Sequence, residues 1–137
     1  MAERIRRVQY FYVMAPDRPG EGARALQTLK DAGVSLLAFS GFPAGKRAQL
    51  DFVPENPAEF RAAARKAKWK VTGPKVGFMI EGDDRTGAMA DIYAKLAAFK
   101  VNIVASDAVV AGAGRFGAIL WVKPRDVPRT AKILGAS

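Results

Sequence analysis

From Val8 to Met14 the chain alternates, with Phe11 and Val13 on one side and Tyr10 and Tyr12 on the other, which predicts a strand. At Asp17-Arg18-Pro19-Gly20-Glu21 the pattern changes to that of a helix start, with an acidic residue, a proline and a glutamate in order. Leu26, Leu29 and Gly33 then recur at helical spacing, Gly33 ends the helix, and a strand follows from Val34. Ala48, Leu50 and Phe52 alternate with Gln49, Asp51 and Val53 to give another strand. Asn56-Pro57 opens a second helix through about Lys68, and Lys70–Thr72 can form a short closing strand.

The same order returns further on. Val8–Gly45 aligns without a gap with Lys75–Gly112 at an offset of 67, and ten of 38 pairs are identical, Asp17/Asp84, Arg18/Arg85 and Gly20/Gly87 among them. Met89, Ile92, Tyr93, Leu96 and Phe99 mark the helix of the second copy. Beyond Gly45 an offset of 70 pairs Ala48, Leu50 and Pro54 with Ala118, Leu120 and Pro124, so a hairpin three residues longer is expected there. The last helix, near Asp126–Leu134, runs out at Ser137, leaving the second copy without its closing strand. The expected architecture is α+β: two ferredoxin-like βαββαβ repeats, residues 1–73 and 74–137, each an antiparallel sheet with helices on one face.

A βαββαβ unit with Asp-Arg-Pro-Gly before its first helix and Gly-Val-Ser-Leu after it resembles the ACT domain; Asp84-Arg85-Thr86-Gly87 and Lys100-Val101-Asn102-Ile103 are the second versions. The resemblance covers nearly the whole chain as a tandem pair. It implies a stand-alone regulatory protein, not an enzyme, that binds a free amino acid or similar small ligand between paired ACT domains and acts on a regulated enzyme. It also implies that a polar residue starting the second strand of a partner domain completes each site. The matching positions are Ser35 and Asn102, so Asp17 and Gly20 are expected with Asn102, and Asp84 and Gly87 with Ser35.

The residues support such a site on chemical grounds. A free amino acid needs donors for its carboxylate and acceptors for its ammonium. The first turn of a helix offers unpaired N–H groups and a positive dipole end. Gly20 and Gly87 permit close backbone approach, and Asp17 or Asp84 can take the ammonium. Arg18 and Arg85 are either carboxylate contacts or solvated cations. The competing structural role is that Asp17 and Asp84 are N-caps, with Thr86 an alternative cap for the second copy.

Composition narrows the chemistry. The chain has 137 residues and neither His nor Cys, which excludes a His-based triad, a Cys nucleophile, a disulfide and a soft-ligand zinc site. Glu81, Asp83, Asp84 and Asp91 straddle a strand end and a helix with no second acidic cluster, so no metal and no cofactor is expected. The most apolar stretch, Val34–Ala44, is too short to span a membrane, and a cytoplasmic protein is expected.

The net charge is +9, and Arg61, Arg65, Lys66, Lys68, Lys70 and Lys75 form a run without an acidic residue. A solvated face or a partner contact accounts for it; nucleic acid is the rival. βαββαβ is also the RRM topology, and Gly114–Trp121 partly matches an RNP1 strand, although Ala118 stands where a stacking aromatic belongs. Gly112-Ala113-Gly114-Arg115-Phe116-Gly117 fits G-x-G-x-x-G but leads into a strand, so it reads as a hairpin loop.

With Phe11, Val13, Phe78, Ile80, Leu120 and Val122 facing the helices, the other face is expected to carry Tyr10, Tyr12, Leu37, Phe39, Met79, Val104, Ile119 and Trp121. A face this apolar calls for a cover, and a homodimer through it is expected.

Overall fold

The computed structural model describes residues 3–137. In chain order the elements are β1 (Arg4–Pro16), α1 (Glu21–Asp31), β2 (Leu36–Ala44), β3 (Arg47–Pro54), α2 (Pro57–Lys66), β4 (Thr72–Asp83), α3 (Ala88–Ala98), β5 (Ile103–Gly112), β6 (Arg115–Val122), a 3-10 turn (Pro124–Asp126) and α4 (Val127–Leu134). They form two compact units. The first is Gln9–Lys75; the second is Val76–Ser137 together with the N-terminal residues through Val8.

In the first unit β3 runs antiparallel between β1 and β2, with Phe11 opposite Phe52 and Val13 opposite Leu50. The start of β4 lies against β1: a Cβ on Gly73 would come within 2.9 Å of the Tyr10 carbonyl oxygen. The core is aromatic, with Phe60 of α2 stacked on Phe11 at 4.8 Å and Trp69 stacked on Phe52 at 5.8 Å. Asn56 caps α2 as the Asn-Pro signal predicts, its side chain accepting from the Ala58 and Glu59 amides at 3.0 and 3.2 Å.

In the second unit β6 runs antiparallel between β4 and β5, with Phe78 opposite Leu120. Phe78, Ile80 and Leu120 form its core with Ile92 and Leu96 of α3, and Ile5 joins them. No strand follows α4. The first residues of β1 stand with this unit instead, where Arg6 meets Met79 and Glu81 of β4. The last residue bonds them: Ser137 N–H donates to the Ile5 carbonyl, and Arg7 N–H donates to the Ser137 carbonyl, both at 3.0 Å.

Among the described residues each of the four α-helices stops on one left-handed residue. Gly33, Lys68 and Lys100, each just after its C-cap, and Gly135, itself the C-cap of α4, have left-handed φ of 72°, 61°, 58° and 65°. The next amide in each case reaches back to the helix: Val34 to Leu29, Trp69 to Ala64, Val101 to Leu96 and Ala136 to Ala131. Duplication thus extends to the helix stops, with Gly33 matched by Lys100 and Lys68 by Gly135.

Three sequence expectations are corrected. Opposite Phe11 and Phe78 stand Phe52 and Leu120, which are 68 residues apart, so the second hairpin is longer by one residue. The irregularity between Val110 and Gly112 absorbs it. The matches at an offset of 70 were coincidences of residue type. Phe39 pairs with Phe52, with ring centroids 5.3 Å apart, and so lies on the core side of the sheet. A bulge between Leu36 and Ala38 shifts the alternation, and the second copy repeats it between Ile103 and Ala105. Finally, Gly20 and Gly87 hold the N-cap positions with φ of 93° and 81° and no side-chain cap, so Asp17, Asp84 and Thr86 do not cap their helices.

The six residues expected to face the helices all lie in the two cores. Ile119 and Trp121, expected on the other face, are buried. Asp51 of the first unit is also buried, at 7 % exposure, on the strand position opposite Tyr12 and Ser40. Among the described residues no helix is long and apolar enough to cross a membrane, and no group of three or more acidic residues is placed to hold a metal ion.

Candidate functional site

The turn between β4 and α3 carries Asp84, Arg85 and Gly87. Its backbone is anchored by the Asp84 amide, which donates to the Gly114 carbonyl of the β5–β6 hairpin at 2.8 Å. The left-handed φ at Gly87 then turns the chain into α3, and a Cβ there would meet nothing within 4 Å. Glycine is therefore required by backbone conformation and leaves open space above the helix start.

That space is a cleft of about 270 Å³. Asp84, Arg85, Gly87 and Ala88–Ala90 form one wall, and Ala108–Val110 of β5 with Phe116 of β6 form the other. One wall offers first-turn amides at the positive end of a helix, a guanidinium and a carboxylate. The other is apolar, with Val109 as much as 66 % exposed. Such a cleft can hold a small molecule that carries a carboxylate, a cationic group and an apolar portion. Arg85 is already engaged, by Asp91 at 2.6 Å and Glu3 at 3.9 Å.

The corresponding turn of the first unit holds Asp17, Arg18 and Gly20, all exposed. Gly20 has the same geometry and open space as Gly87. Occupancy of the helix start differs. Glu21 is the first residue of α1, where α3 has Ala88. Its carboxylate receives Arg18 at 2.9 Å and Arg24 at 3.7 Å. An acid built into the first turn already compensates the α1 dipole.

Ser35 and Asn102 are exposed and follow the helix stops. Each lies at the far end of its own helix from its own turn, about 16 Å for eleven residues. Within a unit, then, the structure brings together Asp84, Arg85 and Gly87, and likewise Asp17, Arg18 and Gly20, and adds neither polar residue to them. Sequence reasoning did not find Met89, Val109, Val110 and Phe116 as cleft walls. The available signal was the Glu21/Ala88 mismatch inside an otherwise matched repeat.

Fold and repeat together define the class of fold: two α+β repeats in tandem with an ACT-like ferredoxin fold, the second ending on its helix α4. Solved structures share this fold over nearly the whole length of the chain. Protein BT0572 from Bacteroides thetaiotaomicron aligns with 97% of this chain and 88% of its own, with a TM-score of 0.80 and 14% identity. The ligand-free regulatory subunit of aspartate kinase from Thermus thermophilus aligns with 98% of this chain and 93% of its own, with a TM-score of 0.65 and 17% identity. A structure of aspartokinase alpha and beta subunits aligns with 98% and 95%, with a TM-score of 0.62 and 13% identity. At these identities the likeness is one of fold. No family model and no curated protein matches the sequence.

Proposed function

We propose that this protein is a non-catalytic regulatory sensor that binds a free amino acid in the cleft at the start of α3. The observation that carries the reading is the uncapped helix start facing an apolar wall, with Asp84 and Arg85 at its rim. First-turn amides suit the ligand carboxylate, Asp84 suits the ammonium, and Val109 and Val110 suit the side chain. The regulatory subunits among its fold neighbours agree with this role. The exposed outer wall suits closure by an ACT domain of a second copy, and the working unit is a homodimer in the cytoplasm. Ligand occupancy then biases how the subunits pack and hence the activity of a regulated enzyme. The RRM-like alternative gains no support at Trp121, which is buried and presents no ring for stacking.

A thermal-shift screen with the twenty amino acids tests the reading. A ligand that binds the native state raises the melting temperature, and by more as its concentration exceeds the Kd. One amino acid, or a few of related shape, is expected to do so. Flat responses to all twenty would refute amino-acid sensing.

A further inference from the structure

The cleft leaves the most basic stretch of the chain unused. Residues 61–75 hold six cations and no carboxylate. Phe60, Ala63 and Ala64 turn α2 toward the core, while Arg61, Arg65, Lys66, Lys68 and Lys70 are exposed. Among the described residues no ion pair engages any of these five. The nearest acid on the helix, Glu59, is held in the cap by Asn56 at 3.2 Å.

The fold does not require these charges. At the equivalent positions of the second unit, 67 residues on, stand Pro128, Lys132, Ile133, Gly135 and Ser137. One cation of five is present there, on a helix whose exit reaches back in the same way, Ala136 N–H to the Ala131 carbonyl as Trp69 N–H to the Ala64 carbonyl.

We propose that the exposed face of α2 and its exit, Arg61, Arg65, Lys66, Lys68 and Lys70, is a docking surface for an acidic segment of a partner protein. Arg61 and Arg65 are four apart on the helix, about 6 Å, the spacing of carboxylates four apart on an acidic helix. Single-stranded nucleic acid fits less well, because the neighbouring rings are not available for stacking: Phe11 and Phe60 are buried and Trp69 is stacked on Phe52. An anionic bilayer fits less well too, since only the alanines Ala58, Ala62 and Ala67 lie exposed beside the cations. The surface is independent of the amino-acid cleft and stands whether or not that reading holds.

Lys68 and Lys100 supply a matched test. Both are lysines in a left-handed helix stop, one on the proposed surface and one off it. Lys68→Gly and Lys100→Gly each remove one charge and relieve the same backbone strain, so both are expected to raise the melting temperature. Binding of a fluorescent poly-glutamate peptide of about a dozen residues is then followed by anisotropy, with a mixed-sequence DNA duplex and phosphatidylserine vesicles in parallel. Lys68→Gly is expected to weaken peptide binding about threefold. Arg65→Glu combined with Lys66→Glu should weaken it at least tenfold, and Lys100→Gly should leave it unchanged. Equal weakening by Lys68→Gly and Lys100→Gly would reduce the effect to net charge and overturn the proposal. Absence of peptide binding, or surface-dependent binding of duplex or vesicles in its place, would overturn it as well.

Discussion

Gly82 lies opposite Phe116 across the β4–β6 pair, and a Cβ on Gly82 would come within 2.7 Å of Phe116 Cε1. The first repeat solves the same position differently, with Ala15 opposite Ala48. A side chain too small on one strand is matched by one that is large on the other. Because Phe116 also lines the cleft, this exchange of volume supplies one residue of its apolar wall, beside Ala108–Val110.

Gly82→Ala is therefore expected to destabilise the protein by about 1–3 kcal/mol through overpacking. In a Phe116→Ala background, which itself costs about 3–5 kcal/mol, Gly82→Ala should cost less than in the parent, because the two alanines recreate the Ala15/Ala48 arrangement. Chemical denaturation of the two single variants and the double variant closes the cycle. Simple additivity would mean that the two residues do not compete for one space.

Lys100 holds the left-handed stop that Gly33 provides in the first repeat, with φ of 58° against 72°. A side chain in that conformation costs about 1 kcal/mol relative to glycine, offset in part by glycine's greater freedom when unfolded. Lys100→Gly should gain about 0.5 kcal/mol, and Gly33→Lys should lose a comparable amount. Melting curves check both, and a loss on Lys100→Gly would show that its side chain makes a compensating contact.

These pairs also show what the sequence disclosed. Strand and helix order followed from the period of Phe11, Val13, Phe78 and Ile80, because burial on one face imposes that period directly. The bulge at Leu37 was invisible, since one extra residue reverses facing without altering composition, and it moved Phe39 to the core side. Asp17 and Asp84 suggested caps because acidic residues favour that position. The left-handed turn at Gly20 and Gly87 starts each helix later, and only backbone dihedrals reveal it. The turn residues of the site were legible for the same reason as the repeat. Its apolar wall was not, because Val109 and Phe116 reach it through strand pairing distant in sequence.

Ile5 precedes the first unit in the chain but packs in the core of the second. Ile5→Ala should cost about 2–4 kcal/mol, and the loss should fall on the second unit. The two tryptophans report separately, Trp69 in the first unit and Trp121 in the second. With Trp69→Phe as background, the Trp121 emission transition should move to lower denaturant on Ile5→Ala. With Trp121→Phe as background, the Trp69 transition should move less. A larger shift at Trp69 would contradict the assignment of Ile5.

Asp51 gives the first unit a defined pH response. Burial raises its carboxyl above the usual aspartate range, while the Gln49 hydrogen bond at 2.9 Å and the Lys75 charge oppose that rise. An acid with a raised folded pKa binds more protons folded than unfolded. The stability it contributes is full below the ordinary aspartate pKa and is lost as pH rises through the raised value. Asp51→Asn keeps an acceptor for Gln49 and removes the charge. The variant should be more stable than the parent at neutral pH, and this advantage should shrink as pH falls through the raised pKa toward the ordinary value. Urea denaturation at several pH values tests this, and a constant difference across the acid range would show that Asp51 does not titrate abnormally.

The two helix starts make opposite predictions for ligand response. At α1 the Glu21 carboxylate already occupies the positive helix end and holds Arg18 and Arg24. A ligand carboxylate arriving there meets a like charge. At α3 the same position is Ala88; the first-turn acid Asp91 stands three residues further on and is held by Arg85 at 2.6 Å, and Asp84 lies before the turn. Asp84→Ala should therefore abolish the amino-acid thermal shift, since an ammonium left without its acceptor costs at least tenfold in affinity. Asp17→Ala should leave most of the shift in place. Both residues are exposed and cap neither helix, so unliganded melting temperatures should move by no more than about 1 °C, as for surface substitutions. A shift lost on Asp17→Ala and retained on Asp84→Ala would place the ligand at the first turn and refute the role given to Glu21.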